Sequence, residues 1–367
     1  MLKVAYLIHY NGNLKDGVGK KILSQIKFWM QNNINTELII ITKNKELINS
    51  IHSKNGLFSI KCFSYADSNR LKTWKNAIEY ILINKFNFVY FRYDLFYPSM
   101  LTLFKKIPTV VEINTNDIYE FKHTSIFRNL YNQITRNFIL KNVKGMIFVT
   151  KELQESKEFA VYLSKNVKSL VIGNGIDLDK YKTLPLSSAN QEPRIVFLGT
   201  DGLLWHGVDK IIKMAELFPK WTFDIIGLKG GENLKKGLSN VNFLGFLEKK
   251  DYEKILEKAD IAIGTLALHR KGMNEASPLK VREYLAYGLP VIIAYNDTDF
   301  NNDHEFILKL PNTENNIIEN KIVIENFVNR MKGVRVAREK IKHIDIKVKE
   351  KQRINFFYEI LNQKEDF

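Results

Sequence analysis

The chain has one cysteine, Cys62, in 367 residues, and a lone thiol excludes any internal disulfide. Its apolar runs are short. The longest, such as LIII at 38–41 and VIIAY at 291–295, fall far below the roughly 20 residues that a membrane-spanning helix needs. The opening MLKVAYLIHY alternates like a strand and lacks the cleavage pattern of an export signal. A cytoplasmic protein is expected, at most peripheral at the inner face of the cell membrane. No internal repeat, low-complexity tract, helix-turn-helix, RNP string or zinc-ligand spacing is present, so nucleic acid is not an expected partner. Acidic residues are scarce in one half. Residues 1–185 hold 27 Lys and Arg against 14 Asp and Glu, whereas residues 186–367 hold 28 against 26. A basic excess confined to one half suits a polyanionic partner, and an anionic membrane surface fits better than a duplex.

With 45% hydrophobic residues, the chain can fill two cores. Short apolar runs alternate with helical patterns. VAYLIHY, TELIIIT, SIKCF, FVYFRY, PTVVEI and GMIFVT mark strands in the first half; RIVFLG, TFDIIG, VNFLG, IAIGTL and VIIAY mark them in the second. The β-α alternation predicts an α/β fold of two doubly wound parallel sheets. The expected organisation is a basic Rossmann-like domain at 1–181, a linker at 182–193, a second Rossmann-like domain at 194–345, and a closing helix at 346–367 packing back toward the first. Ligands of such sheets sit beyond the carboxyl ends of the strands, and two facing sheets would put the site in an interdomain cleft.

The most informative stretch is NEASPLKVREYLAYGLPV, residues 274–291. Ser277 is the expected N-cap and Pro278 the first helical residue. Gly288 and Pro290 end the helix. The free amides of Leu279 and Lys280, the positive end of the helix dipole and the Lys280 charge together make an anion site. Two Asp-x-Asp strings, Asp177-Leu-Asp179 and Asp297-Thr-Asp299, have the spacing of a metal pair but sit in turn settings, so no metal is expected. The loop HYNGNLKDGVGKK lacks the Gly-Lys-Ser/Thr of a P-loop and the third glycine of a dinucleotide fingerprint.

Four strings in order resemble glycosyltransferase family 4. They are Glu275, seven residues, Glu283, then AYGLPVI; IGNGIDLDKY around Asn174–Asp177; IVFLGTDGLLWHGVDKII; and NVNFLGFLEKKDYEKILEKADIAIGTL. The resemblance covers most of the chain, most closely from about Gly173 to Ile293. It implies the GT-B fold and transfer of a sugar, with retention of anomeric configuration, from a nucleoside-diphosphate sugar to a hydroxyl of a lipid-linked glycan in bacterial surface polysaccharide synthesis. No cofactor beyond that donor substrate is implied.

Carried onto matching positions, the resemblance gives Glu283 the ribose hydroxyls, and gives Glu275, Ser277, Leu279 and Lys280 the donor sugar and diphosphate. His206 stands where many relatives have a phosphate-binding Lys, and as an imidazolium it would offset phosphate charge. Phe246 falls where the base packs. Gly17 and Gly19 match the family's glycine loop. Asn114 replaces a His that touches the donor sugar, and the usual Arg after Gly199 is Thr200. Asn114 and Glu275 are the catalytic candidates; His9, Arg92, Glu112 and Asp117, at strand ends, are the acceptor-side candidates. The mix of aromatic and basic residues from Glu120 to Gly145, with RLKTWK at 70–75, suits an anionic lipid surface. A GT-B sugar-nucleotide 2-epimerase and a non-catalytic sugar-nucleotide-binding scaffold are the competing readings.

Overall fold

The computed structural model describes residues 1–52, 58–163, 167–186, 190–229, 234–235 and 237–362. Its contacts divide the chain into two units, Met1–Gly175 with Ile346–Phe367, and Ile176–Asp345. Residues 187–189 of the segment read as a linker lie outside the described residues.

The first unit holds seven strands: β1 (Lys3–His9), β2 (Asn35–Thr42), β3 (Ile60–Ser64), β4 (Phe88–Arg92), β5 (Thr109–Ile113), β6 (Gly145–Phe148) and β7 (Lys168–Val171). They form one sheet in the order β3-β2-β1-β4-β5-β6-β7, every pairing parallel. Parallel neighbours require crossovers, and the crossover helices cover both faces, so β1 is an unbroken run of buried residues from Val4 to Ile8. The helix Gly17–Gln31 starts on an Asp16 cap and buries Ile22, Ile26 and Trp29 along one stripe.

The chain's last helix, Ile346–Leu361, belongs to this unit. Phe357 meets the Trp29 ring edge-on at 5.1 Å and Phe88 at 4.8 Å. Around these rings runs a buried polar network. Glu350 accepts from Trp29 Nε1 at 2.8 Å, Gln25 Nε2 at 3.1 Å and Arg353 Nε at 2.9 Å. Arg353 also donates to Tyr90 Oη at 2.8 Å. Burying so many polar groups is tolerable only because each finds a partner.

The second unit holds β8 (Arg194–Leu198), β9 (Thr222–Ile226), β10 (Val241–Phe243), β11 (Ile261–Ile263), β12 (Glu275–Ala276), β13 (Val291–Ile293), β14 (Asn296–Asp297) and β15 (Ile307–Lys309). Six make a second parallel sheet in the order β10-β9-β8-β11-β13-β15, and β12 pairs with β14 beside it. All eleven anticipated strands are present. β7, β15 and the two-residue β12 and β14 were not anticipated.

Candidate active site

In the second unit the site is built at the carboxyl ends of β8 and β11. The turn after β8 is closed by two glycines. Gly227 has φ +91°, and a Cβ on it would lie 2.3 Å from the Gly199 carbonyl oxygen. The chain then makes the short turn Leu204–His206, passes through left-handed Gly207 at φ +72°, and starts the helix Val208–Leu217. Backbone bonds from Leu266 N–H to the His206 carbonyl (3.2 Å) and from Ala267 N–H to the Trp205 carbonyl (3.1 Å) fasten this turn to the loop after β11.

The helix in the Glu275–Glu283 stretch runs from Leu279 to Ala286. Ser277 is not its cap: Pro278 holds that position with no side-chain hydrogen bond, and Ser277 Oγ instead accepts from Arg282 at 2.8 Å. The first amide of the helix with a helical acceptor is Val281, bonded to the Pro278 carbonyl at 3.2 Å. The Leu279 and Lys280 amides precede it, leaving an uncapped positive helix end.

Lys280 reaches back from that end. Its Nζ lies 3.2 Å from His206 Nε2 and 4.3 Å over the Phe197 ring. The side chain as a whole is half-buried, but these two rings enclose its ammonium, and burial lowers its pKa to about 7. For His206, burial, followed by the charges of Lys280 and Lys271, lowers the pKa to about 3. His206 is therefore neutral near pH 7. The expected imidazolium is corrected to an imidazole whose Nε2 can accept from the Lys280 ammonium. The charge at this position belongs to lysine.

Glu283, half-buried on the same helix, accepts a 2.7 Å bond from Tyr252 Oη. Glu275 opens β12 and is half-buried. Phe246, 75% exposed, follows Gly245 in the loop beyond β10. Arg282 was not anticipated. It is fully buried, holds Asp297 with two nitrogens at 2.7 and 2.8 Å, and reaches Asp299 at 2.8 Å. The Asp297-Thr-Asp299 string is thus an arginine clamp that fixes the approach to the helix start.

The first unit gathers several candidates at its strand ends. Glu112 is fully buried, with Lys21 Nζ at 2.9 Å, Arg92 Nη1 at 3.3 Å and Arg353 Nη1 at 3.7 Å. Burial would raise its pKa, but the three cations outweigh it and hold the carboxylate well below its ordinary range. Asp117 is buried against Arg136, with bonds of 2.9 and 3.0 Å, and also accepts from Tyr93 Oη at 3.2 Å. Both carboxylates, expected on the acceptor side, are instead buried in ion pairs with cations of their own unit. Asn114 differs: its Oδ1 accepts from Lys21 at 3.2 Å, while its Nδ2 is buried with no partner among the described residues.

The glycine loop is closed by its own side chains. Gly19 N–H donates to Asp16 Oδ1 at 2.8 Å, and a Cβ on Gly19 would lie 2.4 Å from Leu14 Cα. Gly17 is the exposed first residue of the helix. His9 ends β1 with Nδ1 2.5 Å from Asp94 Oδ2 and Nε2 2.7 Å from Tyr65 Oη. Arg70 Nη2 lies 3.1 Å from His9 Nδ1 and 3.5 Å from Asp94. Burial pushes Asp94 up, but His9, the Leu95 amide and Arg70 together pull it below its usual range.

Residues 192–305, which include the Lys280 helix and both glutamates, match the family model described as Glycosyl transferases group 1. Among solved structures, the chain is similar to sucrose-phosphate synthase from Thermosynechococcus elongatus, at 11% identity and a TM-score of 0.71 over 99% of this chain and 100% of that one. It is similar to the lipopolysaccharide outer core galactosyltransferase WaaB, at 12% identity and 0.68 over 98% and 99%. Anabaena Alr3699/HepE, solved with UDP-glucose, matches at 14% identity and 0.65 over 98% and 100%. No curated protein matches the chain significantly. Structural likeness at such low identity speaks for the fold, and the fold is GT-B: two parallel Rossmann-like sheets. The match of residues 192–305 supports a glycosyltransferase enzyme.

Proposed function

We propose that the chain transfers a sugar from a nucleoside-diphosphate sugar to a hydroxyl of a lipid-linked glycan, in bacterial surface polysaccharide synthesis, with retention of anomeric configuration. The observation that carries the donor reading is the uncapped start of the Leu279–Ala286 helix with the Lys280 ammonium enclosed beside a neutral His206. Two amides, a helix dipole and one buried cation suit a diphosphate, and they stabilise it most as it departs with added charge. Glu283, already oriented by Tyr252, takes the ribose hydroxyls. Glu275, half-buried at the start of β12, contacts the sugar. The bond from the anomeric carbon to the phosphate oxygen breaks, the acceptor oxygen bonds on the same face, and its proton passes to the departing phosphate oxygen. WaaB is named as a lipopolysaccharide outer core galactosyltransferase, which supports a polysaccharide role here.

A second reading rests on the His9–Asp94 pair. A carboxylate 2.5 Å from Nδ1 orients a histidine as a general base, and a base on the acceptor hydroxyl would give inversion. Release of Tyr65 from Nε2 would be needed first.

The test is a thermal-shift screen of the protein and Glu283→Ala against UDP, GDP, ADP and CMP. A diphosphate at 100 times its dissociation constant adds about 2.7 kcal/mol of stability. A shift with one nucleotide that Glu283→Ala loses supports the donor site; no shift with any of them sinks it. Proton NMR of the product's anomeric coupling then separates retention from inversion, and His9→Ala abolishes turnover only in the second case.

A further inference from the structure

Lys280 stands apart from the other lysines by its contacts. Its Nζ meets the face of the Phe197 ring at 4.3 Å and His206 Nε2 at 3.2 Å, and no carboxylate pairs with it among the described residues. Two deeper lysines are matched by acceptors. Lys21, 7% exposed, has Glu112 and Asn114; Lys210, 4% exposed, donates to the Thr313 carbonyl and to Asn316 Oδ1. An ammonium with neither water nor a counter-ion gives way to the amine. With the pKa lowered to about 7 by burial, about half of Lys280 is amine at pH 7, against about 0.04% of an exposed lysine. The stem is half-buried, so a small reagent reaches this amine while Lys21 stays covered. A desolvated lysine amine is an activated nucleophile.

The helix start supplies the other half of a reactive site. A phosphate held by the Leu279 and Lys280 amides and the positive helix end lies within reach of the Lys280 side chain. Lys271, which together with Lys280 keeps His206 neutral, adds positive charge to the same corner, its Nζ 4.7 Å over the Trp205 ring. An uncharged ester gains nothing from this arrangement. An acyl phosphate matches both parts, with a dianionic phosphate for the helix start and an acyl carbon for the amine.

We propose that Lys280 is an acylation site for acyl phosphates, and that its acylation shuts the diphosphate site. Nζ attacks the acyl carbon and forms the N–C bond of an amide. The bond from that carbon to the phosphate oxygen breaks, and the proton lost by the amine leaves on hydrogen phosphate. The amide carries no charge, so the helix start loses its cation and gains an acyl group in its path. The inference rests on the anion site of the donor reading, and not on sugar transfer itself.

The experiment treats the full chain at pH 7 with acetyl phosphate and, in parallel, with the N-hydroxysuccinimide ester of acetic acid, which has the acyl group without the phosphate. Peptide mass spectrometry gives the rate at each lysine. With acetyl phosphate, Lys280 should react at least about tenfold faster than the median lysine, and inorganic pyrophosphate should slow it at least about tenfold. With the ester, the preference should be at least about threefold smaller. The Lys280 rate should level off above about pH 8, while exposed lysines keep gaining toward pH 10. Calorimetry should find pyrophosphate bound at least about tenfold more weakly by the acetylated protein, and Lys280→Arg should keep pyrophosphate binding without being acetylated there. Acetylation at the median rate, no protection by pyrophosphate, or pyrophosphate binding unchanged by acetylation would each overturn the proposal. Nucleotide shifts of the unmodified protein judge the donor reading separately: selective, protected acetylation without any nucleotide shift keeps this site and removes that reading.

Discussion

Lys280 gives the sharpest prediction because its proton is nearly balanced. Its folded pKa is lowered to about 7 by burial, whereas an exposed lysine titrates near 10.4. A bound diphosphate restores the charged form, so binding above pH 7 must take up a proton. At pH 8 the free protein carries about 0.1 proton on Lys280, and uptake approaches about 0.9 per nucleotide. Affinity follows the charged fraction, which falls from about one half at pH 7 to about 1% at pH 9, so binding weakens about 50-fold, or about 2.3 kcal/mol. The nucleotide's terminal phosphate, with a pKa near 6, is fully ionised across this window. Calorimetry at pH 8 in two buffers of different ionisation enthalpy measures the uptake directly, and Lys280→Met should reduce both uptake and pH dependence to near zero. Stability runs the other way. Because the folded pKa is depressed, the unfolded chain holds the extra proton between pH 7 and about 10.4, and stability rises with pH across that range. Lys280→Met should therefore stabilise the free protein at pH 7, with an upper limit of about 5 kcal/mol that water access along the half-buried stem reduces, and the gain should fade toward pH 10. Buffer-independent heats with flat affinity from pH 7 to 9 would refute the placement of the diphosphate at this lysine.

Three further predictions concern the first unit. Arg353→Met leaves Glu350 and Glu112 buried with less positive charge and Tyr90 Oη without its donor. Such a loss costs about 3–5 kcal/mol, and differential scanning calorimetry should show the first unit's transition lowered by about 6–20 °C. A shift below about 2 °C would mean that the remaining cations suffice. Gly19→Ala places a methyl 2.4 Å from Leu14 Cα and should cost about 1–3 kcal/mol in urea unfolding. Gly17→Ala, at the exposed first position of the same helix, should be neutral or stabilising by up to about 1 kcal/mol.

Much of this was legible in the sequence, for reasons that differ between elements. Strands such as VAYLIHY and TELIIIT announce themselves because a central parallel strand is buried on both faces. β7 is the four-residue KSLV at the sheet edge, and β15 is the three-residue ILK; neither is long enough to show a period. In the site, the Glu275–Glu283 spacing and the Ser-Pro-Leu-Lys helix start were readable as a motif. What surrounds them was not. Burial makes His206 neutral, and burial is decided by the loop after β11, which lies about 60 residues further on. Tyr252, which orients Glu283, lies inside the fourth string of the resemblance, but among its charged helical neighbours nothing marks it as a partner of Glu283. The Asp297-Thr-Asp299 string reads as turn chemistry in sequence, because nothing there shows that Arg282 holds both carboxylates. Glu112 lies near the end of β5 and Asp117 opens the helix Asp117–Thr124 just beyond it, but neither position says whether a side chain faces water or a buried cation.

The returning C-terminal helix also imposes an order on synthesis. Residues 1–175 leave the ribosome first, yet Glu350, Arg353 and Phe357, which complete their core, come only after the whole of Ile176–Asp345. At about 5–20 residues per second that delay is on the order of 10 to 30 s. Throughout it, Trp29, on the helix Gly17–Gln31, faces a core whose last wall does not yet exist, while the second unit, continuous in sequence, is free to fold. The part of the molecule made first is therefore the part finished last, and a nascent chain stalled anywhere before residue 346 leaves Trp29 and Phe88 without the helix that covers them.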